Sequence, residues 1–273
     1  MKVYLKTIVN FFVSIFIKFL SSINAGRYVK DLLLEKISNT YVKIEHNKVK
    51  LFFYTPNRLC YWRVKTFSTK EPETIKWIDG FDENCQFWDI GSNIGLYSCY
   101  AAKKKINVMS FEPSVFNLEI LAKNVFKNNL ENLITIVPIA ISNSTQIKSF
   151  NMSNINYGGA MSSLEKNLYN QDGIQLKQVF NYNLVSMEIR KLSELLKLKK
   201  PDHIKIDVDG IEHLIIENLD GLISNTKSIL VEVDKKFQNN LNTIEKFLLT
   251  NNFYLQNSYQ GSKSQFNQIW FRK

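Results

Sequence analysis

Short apolar runs alternate with helical patterns from residue 87 to the end of the chain. Strands are predicted at Phe87–Ile90 and Val108–Phe111, and each precedes a helical pattern, at Leu96–Ala102 and Val115–Asn128. The later strands are predicted at Ile134–Ile141, His203–Val208, Ser228–Val233, Phe253–Gln256 and Asn267–Phe271, and the later helices at Ile211–Leu219 and Leu241–Leu249. Repeated βα units predict the α/β class, with a mostly parallel seven-stranded sheet and helices on both faces.

Two regions depart from this alternation. Residues 1–70 are interpreted as an extension made of an N-terminal helix and a β-hairpin, and residues 71–273 as the main domain. Apolar runs at Val49–Tyr54 and Tyr61–Val64 flank a turn signal at Pro56, which predicts the hairpin. Residues 142–186 are rich in Ser, Asn, Gln and Gly and too long for an ordinary loop. This insertion is predicted to be a lid or substrate loop, or partly strand.

The first 24 residues are strongly apolar, and every charged residue before Asp31 is basic. Only eleven residues separate Lys6 from Lys18, whereas a membrane-spanning helix needs about 20 uncharged residues. The segment from Ser22 to Ala25 is a poor signal-peptide cleavage site. Polar positions recur every three or four residues, which predicts a helix with a narrow polar stripe. Such a helix could lie in an anionic membrane surface, or pack on the domain or on a second subunit in a homodimer.

Composition excludes several classes of protein. The 45% of hydrophobic residues exclude a disordered chain. Cys60, Cys85 and Cys99 are widely spaced, which disfavours a disulfide framework and fits a reducing, cytoplasmic compartment. The net charge of +10 indicates an acidic partner or a membrane surface, so we expect a cytoplasmic protein that could be peripheral on the inner face of the membrane.

Glycine is scarce, with 10 in 273 residues, yet two glycines follow one predicted strand. Phe87–Ile90 continues into Gly91-Ser92-Asn93-Ile94-Gly95 and then into a helix. Backbone without Cβ allows a cofactor to lie across the strand end, and the helix N-terminus offers free N–H groups. A βα turn can also use glycine only for packing. The G-x-x-x-G spacing differs from that of dinucleotide folds, which disfavours a nicotinamide-dependent oxidoreductase.

An acidic residue ends the next strand. Glu112 follows Val108–Phe111 and precedes Pro113. A carboxylate in this position can accept hydrogen bonds from both ribose hydroxyls of a nucleoside. The alternative is an acid at the start of a helix, stabilised by the helix dipole. Together with the glycine loop, Glu112 predicts a nucleoside-binding site.

Three acids and another glycine follow a later strand. Asp207, Asp209, Gly210 and Glu212 are predicted at the carboxyl edge of the sheet, beside the two motifs above. Asp209 and Glu212 also have the spacing of a capping box for the following helix, so a structural role stays open for both. The neighbouring His213 has an ordinary pKa of about 6.5, which suits a general base, although a solvated helix position is the alternative.

These motifs together resemble the FkbM-type methyltransferases. The resemblance extends over roughly residues 65–273 and rests on Asp89–Gly95, Phe111–Pro113, Leu121–Asn124 and Ile204–Glu212. It implies an S-adenosylmethionine (SAM)-dependent O-methyltransferase with the class I Rossmann-like fold. Asp209 stands where the family usually has Glu, Ser92 stands where Ala is commoner, and His213 is not a family feature.

The resemblance also implies roles for individual residues in binding SAM. The methionine part would lie over Gly91–Gly95, including Ser92 and Asn93, with Asp89 facing its amino group. Glu112 would face the ribose, and the segment of Ile141, Ser142 and Asn143 would face the adenine edge.

Transfer of a methyl group to an alcohol requires removal of the alcohol's proton. Asp207 is the first candidate to face the transferring methyl group and the acceptor, followed by Asp209, Glu212 and His213. A divalent cation could instead activate the hydroxyl, with Mg²⁺ held by Asp207 and either Glu232 or Asp234, and this alternative is disfavoured.

The acceptor is expected to be a small molecule or glycan with a free hydroxyl, and a sugar is favoured. Tyr157, Tyr169 and Tyr182 in the insertion could stack on a sugar ring or simply pack. Nucleic-acid methylation is disfavoured, because the chain has neither an Asn- or Asp-Pro-Pro-aromatic motif nor a Pro-Cys nucleophile. A non-catalytic module that binds SAM or a glycan and contacts a membrane is the remaining alternative.

Overall fold

The computed structural model describes residues 2–164, 175–260 and 265–273. Its helices are α1 Lys2–Ser22, α2 Asn24–Ser38, α3 Arg58–Lys65, α4 Pro72–Asp79, α5 Leu96–Lys103, α6 Val115–Lys127, α7 Ile189–Leu196, α8 Glu212–Glu217 and α9 Gln238–Thr250. Its strands are β1 Tyr41–His46, β2 Val49–Tyr54, β3 Gln86–Ile90, β4 Asn107–Phe111, β5 Ile134–Val137, β6 Ala140–Ser142, β7 Gln146–Met152, β8 Ser162–Leu164, β9 Phe180–Glu188, β10 His203–Ile206, β11 Ser228–Asp234, β12 Phe253–Gln260 and β13 Gln265–Arg272.

The main sheet confirms the predicted architecture. Within the described residues it has seven strands in the order β12-β13-β11-β10-β3-β4-β5. The neighbours from β11 to β5 pair in parallel, and β13 pairs antiparallel with both β11 and β12. Because β3 is flanked by β4 and β10, strand order reverses between β3 and β10. The carboxyl ends of strands at such a switch point enclose a crevice, which is where open α/β sheets bind ligands.

Apolar side chains bury both faces of this sheet, as a parallel sheet covered by helices requires. On one face Trp88 and Ile206 pack with residues of α7, α8 and α9, such as Ile216. On the other face Phe87 and Leu230 pack with residues of α3 to α6. The helices therefore cover both faces, as the sequence predicts.

The predicted strand at Ile134–Ile141 is wrong as a single element. Strand β5 ends at Val137, and Ala140–Ser142 forms β6 in a separate four-stranded sheet of order β6-β9-β7-β8. Pro138 separates the two strands, and proline cannot donate to a strand ladder. The insertion at 142–186 is thus partly strand, with residues 165–174 outside the described part.

The predicted hairpin is correct in existence but wrong in position. Strands β1 and β2 pair antiparallel across Asn47 and Lys48, both of which have positive φ. The segment Tyr61–Val64 belongs to helix α3, which begins after Asn57. The Asn57 side chain accepts a hydrogen bond from the Cys60 N–H at 2.8 Å, and this N-cap starts the helix. The turn signal at Pro56 therefore precedes a helix rather than joining two strands.

Two helices precede the hairpin. Helix α1 exposes apolar side chains along most of its length, and within residues 4–22 only Leu20 is buried. The stretch Tyr4–Ser22 has a mean hydropathy of 1.5, and by length and composition it could cross a membrane. Gly26 lies so close to the Leu20 carbonyl that an added Cβ would stand 1.9 Å from its oxygen, which fixes the junction between α1 and α2.

Candidate active site

A cleft opens at the carboxyl ends of β3, β4 and β10, on the crevice described above. It has three adjoining parts, of about 410, 1340 and 490 Å³, and Gly91 lines all three. We call them the apolar, the central and the basic compartment. Each of the three sequence motifs contributes to the central compartment, through Gly91, Glu112 and Asp207, because the carboxyl ends of parallel strands meet at one edge of the sheet.

The glycines of the first motif serve close packing within the protein. Gly91 has φ +87°, and an added Cβ would lie 1.9 Å from the carbonyl oxygen of Asp207 on the neighbouring strand end. Gly95 has φ +79°, and its Cβ would lie 2.3 Å from the Leu121 side chain of α6. Both left-handed conformations favour glycine. The need for glycine thus comes from strand and helix contacts, which is the packing alternative left open by the sequence.

Ser92 and Asn93 present polar groups between these glycines. The Ser92 hydroxyl is buried without a hydrogen-bond partner among the described residues, and Ser92 lines the basic compartment. Asn93 has φ +51°, and its side chain donates to the Gly159 carbonyl at 2.8 Å. A buried hydroxyl without a partner is costly unless a bound group supplies one, so Ser92 fits a site for a polar ligand.

Glu112 lies at the boundary between the glycine loop and α6. Its carboxylate accepts hydrogen bonds from the N–H groups of Asn93 and Ser114, each at 2.8 Å, and from the Asn117 side chain at 3.4 Å. Burial raises the pKa of Glu112 to about 7, against the opposing effect of these hydrogen bonds. Each carboxylate oxygen has two lone pairs, so Glu112 can accept further hydrogen bonds from a ligand in the central compartment that it lines.

The apolar compartment adjoins the central one, and the two share Gly91, Pro113 and Asp209 among their lining residues. Ile90, Phe111, Ile141 and Ile211 are among the side chains around it, which places Ile141 where a flat heterocycle could be held. Ser142 points elsewhere: its hydroxyl hydrogen-bonds the Ser186 hydroxyl at 2.9 Å and joins β6 to β9. Ser142 is not among the lining residues of any of the three compartments.

Asp89 lies below the cleft rather than on its surface. One carboxylate oxygen accepts a short 2.5 Å hydrogen bond from Ser98, and the other has no hydrogen-bond partner among the described residues. Burial raises the pKa of Asp89, and the nearby Lys205 charge opposes this effect. Asp89 is buried and lines none of the three compartments.

Asp207 lines the cleft at the end of β10 and is paired with Lys205. The buried Lys205 ammonium donates to the Asp207 carboxylate at 2.6 Å. Burial raises the pKa of Asp207, but the Lys205 charge and hydrogen bond outweigh it, helped by Lys70 and Arg63, and the net pKa is lowered. Asp207 is therefore held in its charged form, which makes it a weak base.

Asp209 and Glu212 do not form the capping box that their spacing suggests. Asp209 has φ +58° and accepts hydrogen bonds from the N–H groups of Met161 at 2.6 Å and Ser162 at 3.3 Å. Glu212 accepts from the N–H groups of Gly210 at 3.0 Å and Val208 at 3.3 Å. Asp209 thus anchors the loop of the insertion, and Glu212 stabilises the turn before α8.

The surroundings of both acids raise their pKa values. Desolvation, followed by the Asp207 charge, raises the pKa of Asp209 to about 6, although its side chain is reached by solvent through the cleft. Burial raises the pKa of Glu212 to about 7. Asp209 lines the central compartment, whereas Glu212 lines none of the three.

His213 is half-buried on α8 and lines none of the three compartments. Of the three tyrosines considered for sugar stacking, Tyr169 lies outside the described residues. The Tyr182 hydroxyl donates to the Pro113 carbonyl at 2.8 Å, so this side chain supports the Glu112 turn. Tyr157 packs against the core on the α3 side of the sheet.

Glu232 lies on β11, the strand that pairs with β10, and lines the central compartment. It accepts a hydrogen bond from the Gln265 side chain at 3.2 Å. Burial raises its pKa well above the ordinary value, and the charges of Asp207, Glu212 and Asp209 add to this effect. In the described part of the chain no three His, Cys, Asp or Glu side chains come together as a metal site, so Asp207, Glu232 and Asp234 do not form a ligand cluster.

One wall of the cleft is formed by residues that lie outside the three sequence motifs. Helix α3 of the N-terminal extension contributes Leu59, Trp62 and Arg63 to the central compartment, and Lys70 follows it. The boundary at residue 70 therefore cuts through the site. The N-cap at Asn57 is the signal in the sequence that could have revealed this helix.

A loop of the insertion, residues 153–162, lies across the same compartment and is fixed by side chains from several elements. Asn117 accepts from the Gly158 N–H at 3.0 Å and donates to the Gly159 carbonyl at 3.1 Å. Arg63 donates through Nε to the Gly158 carbonyl at 2.7 Å, and Asn57 donates to the Tyr157 carbonyl at 2.9 Å. The first part of the insertion thus forms a wall of the cleft, as its position between two sheet strands suggests.

The fold is that of a Rossmann-like methyltransferase domain. A family model for the methyltransferase FkbM domain matches residues 89–259, which is more than half of the chain. The chain belongs to this family.

Two relatives share about a quarter of their matched residues with this chain. Hexuronic acid methyltransferase AglP of Haloferax volcanii is 23% identical over 172 residues, or 63% of this chain and 65% of that protein. Methyltransferase sdnD of Sordaria araneosa is 23% identical over 153 residues, or 48% of this chain and 59% of that protein. The chain thus spans less than two thirds of the length of either relative.

A solved structure from Streptococcus mutans, provisionally assigned as a SAM-dependent methyltransferase, has the same fold. Its TM-score is 0.51 at 11% identity, over 85% of this chain and 55% of that one.

Proposed function

We propose that this protein is a SAM-dependent O-methyltransferase that acts on a hydroxyl of a sugar. The observation that supports it best is the cleft at the switch point, in which Glu112 lines the central compartment and the Ser92 hydroxyl, without a partner among the described residues, belongs to a residue that lines the basic one. The apolar compartment suits an adenine, Glu112 a ribose, and the basic compartment the charged methionine end. The residues present therefore fit SAM.

SAM would supply a methyl group on a positively charged sulfur. As the acceptor oxygen bonds to the methyl group, the S–C bond would break, and the sulfur would keep its electron pair and leave as a neutral thioether. The chain's part is to hold the acceptor in line and to take up its proton. The large central compartment, with Asp207, Asp209 and Glu232 on its surface, is the place for the acceptor.

Glu232 is the proton acceptor in this proposal. Glu112 is bonded by two backbone N–H groups, Asp209 by the insertion loop, and Asp207 by Lys205. Glu232 has a neutral amide as its hydrogen-bond partner, and its surroundings raise its pKa. A carboxylate with a raised pKa is a stronger base. Asp207, held charged, has the role of orienting the acceptor hydroxyl and facing the positive sulfur.

A sugar acceptor is supported by the relative AglP, whose name gives hexuronic acid as the molecule it methylates. The polar walls of the central compartment also suit a sugar: Asn93, Asn117, Ser153 and Asn154 line it. The membrane contribution of α1 is a separate proposal. We expect its exposed apolar residues to lie in an anionic membrane surface, with Lys6 and Lys18 facing the headgroups.

Radiolabelled SAM incubated with the full chain and fractionated cell-envelope glycans tests the function. We expect label in a carbohydrate fraction, as an alkali-stable ether. Glu232→Gln and Asp207→Asn should bind S-adenosylhomocysteine (SAH) like the unaltered chain and lose transfer. Label in nucleic acid would contradict the proposal, and full turnover by Glu232→Gln would remove Glu232 as the base.

A further inference from the structure

Arg63 occupies an unusual position for a residue outside the predicted methyltransferase domain. It is half-buried on α3, and it lines both the central and the basic compartment. Lys70 is the second cation that lines both compartments. The two positive groups thus face the same space from the N-terminal extension.

The Arg63 guanidinium is fixed in place by one of its own hydrogen bonds. Its Nε donates to the Gly158 carbonyl at 2.7 Å, which ties α3 to the insertion loop. Among the described residues, neither terminal amino group of Arg63 has a hydrogen-bond partner. A guanidinium held by Nε presents its two remaining amino groups as a fork, which matches the two oxygens of a carboxylate.

The two acids that line the basic compartment, Glu71 and Asp207, are each paired with a lysine. Lys70 is paired with Glu71 at 2.5 Å, and Asp207 is paired with Lys205 at 2.6 Å. Arg63 and Lys70 are nevertheless near enough to Asp207 for their charges to lower its pKa. They therefore lie at the end of the cleft that contains Asp207, the residue that follows β10.

We propose that Arg63, assisted by Lys70, forms a carboxylate-binding subsite at the junction of the central and basic compartments. This inference rests on the proposed function. The carboxylate has two sources that share the same chemistry, namely the methionine end of the cofactor and an acidic sugar as the acceptor. In either case the N-terminal extension completes the site, and the methyltransferase domain alone does not contain it.

The test compares ligands that differ only by a carboxylate. Isothermal calorimetry measures binding of SAH and of its decarboxylated analogue, which keeps the amino group, to the full chain, Arg63→Gln and Arg63→Lys. Arg58→Gln is the matched control, because Arg58 lies exposed on the same helix and does not line the three compartments. A second series titrates D-glucuronate and D-glucose into the SAH-saturated protein.

If the subsite binds the cofactor, Arg63→Gln weakens SAH at least about tenfold and leaves the decarboxylated analogue unchanged. If the subsite binds the acceptor, Arg63→Gln binds SAH and its decarboxylated analogue like the unaltered chain but loses glucuronate binding. In both cases Arg63→Lys recovers only part of the loss, because an ammonium lacks the fork. Equal weakening of SAH and its analogue, or no change with any ligand, overturns the subsite. Failure of the unaltered chain to bind SAH would instead overturn the proposed function.

Discussion

Lys205 and Asp207 stand two residues apart at the end of β10, and their side chains meet at 2.6 Å across the floor of the cleft. Lys205 is almost completely buried, with a side-chain exposure of 2%, while Asp207 is 31% exposed toward the cleft. The Lys205 ammonium also lies 5.3 Å from the centre of the Tyr97 ring and near the buried Asp89. One buried cation thus compensates two carboxylates, one below the cleft and one on its surface.

Lys205→Met should be strongly destabilising, because it leaves Asp89 and Asp207 without their cation. We expect a loss of roughly 3–5 kcal/mol in the free energy of unfolding, measured by urea denaturation. The double variant with Asp207→Asn should recover part of this loss. Equal stability of Lys205→Met and the unaltered chain would show that the pair is not needed for folding.

Gly91→Ala should lower the free energy of unfolding more than the same substitution at Gly221, another glycine with positive φ. Gly221 has φ +72° and no atom within 4 Å of an added Cβ, so Gly221→Ala should cost about 1–2 kcal/mol for backbone strain alone. Gly91→Ala adds the clash with the Asp207 carbonyl, for a total of about 2–5 kcal/mol. Thermal melts of the two variants compare these costs, and similar losses would argue against the close contact.

Stability should fall as the pH rises from about 4.5 to 7. Burial raises the pKa of Glu112 and of Glu212 to about 7 in the folded chain. Between their unfolded and folded pKa values these two groups bind more protons in the folded chain, so their titration favours unfolding as the pH rises. Burial lowers the pKa of His203 to about 4, and this single group opposes part of the effect below pH 6.5. A shift of this size in one buried group corresponds to about 3 kcal/mol.

Glu212→Gln isolates one of these groups, since an amide oxygen can still accept from the Gly210 N–H. Urea denaturation between pH 5 and 8 should show a shallower decline for this variant. Glu217→Gln, an exposed position on the same helix, should keep the original slope. If Glu212→Gln also kept the original decline of stability with pH, the titration of buried Glu212 would not contribute to that decline.

Vesicle flotation tests the role of helix α1. The full chain should float with vesicles that contain anionic lipid and much less with neutral ones, because basic and apolar residues act together. Lys6→Glu combined with Lys18→Glu should abolish the difference, whereas Lys235→Glu combined with Lys236→Glu, far from α1 in the sequence, should not. Equal flotation by both double variants would contradict this role.

The order of the main elements could be predicted from the sequence because each strand is a short apolar run followed by a helical pattern. The motif after β10 could also be placed, since parallel strands end at one edge. Long-range contacts could not be predicted. The sequence gives no local sign that Gly91 faces the Asp207 carbonyl, or that Lys205 makes Asp207 a weak base.

Local signals were present where two elements were predicted wrongly. Pro138 interrupts the apolar run from Ile134 to Ile141, and proline is disfavoured within a central strand. Asn57 is a favoured N-cap residue, although the apolar run Tyr61–Val64 after it also fits a strand. Cys60 and Val64 are buried at helical spacing, while Tyr61 is exposed. The resulting helix supplies Arg63, which therefore could not be placed in the site.

Calorimetric titration with SAH, with the full chain and Glu112→Ala measured side by side, shows whether this cleft binds the cofactor. We expect one SAH bound per chain, and an affinity at least about tenfold lower for Glu112→Ala, because hydrogen bonds to a buried carboxylate are lost. Absence of SAH binding to the unaltered chain, or equal affinities of the two proteins, would contradict this expectation.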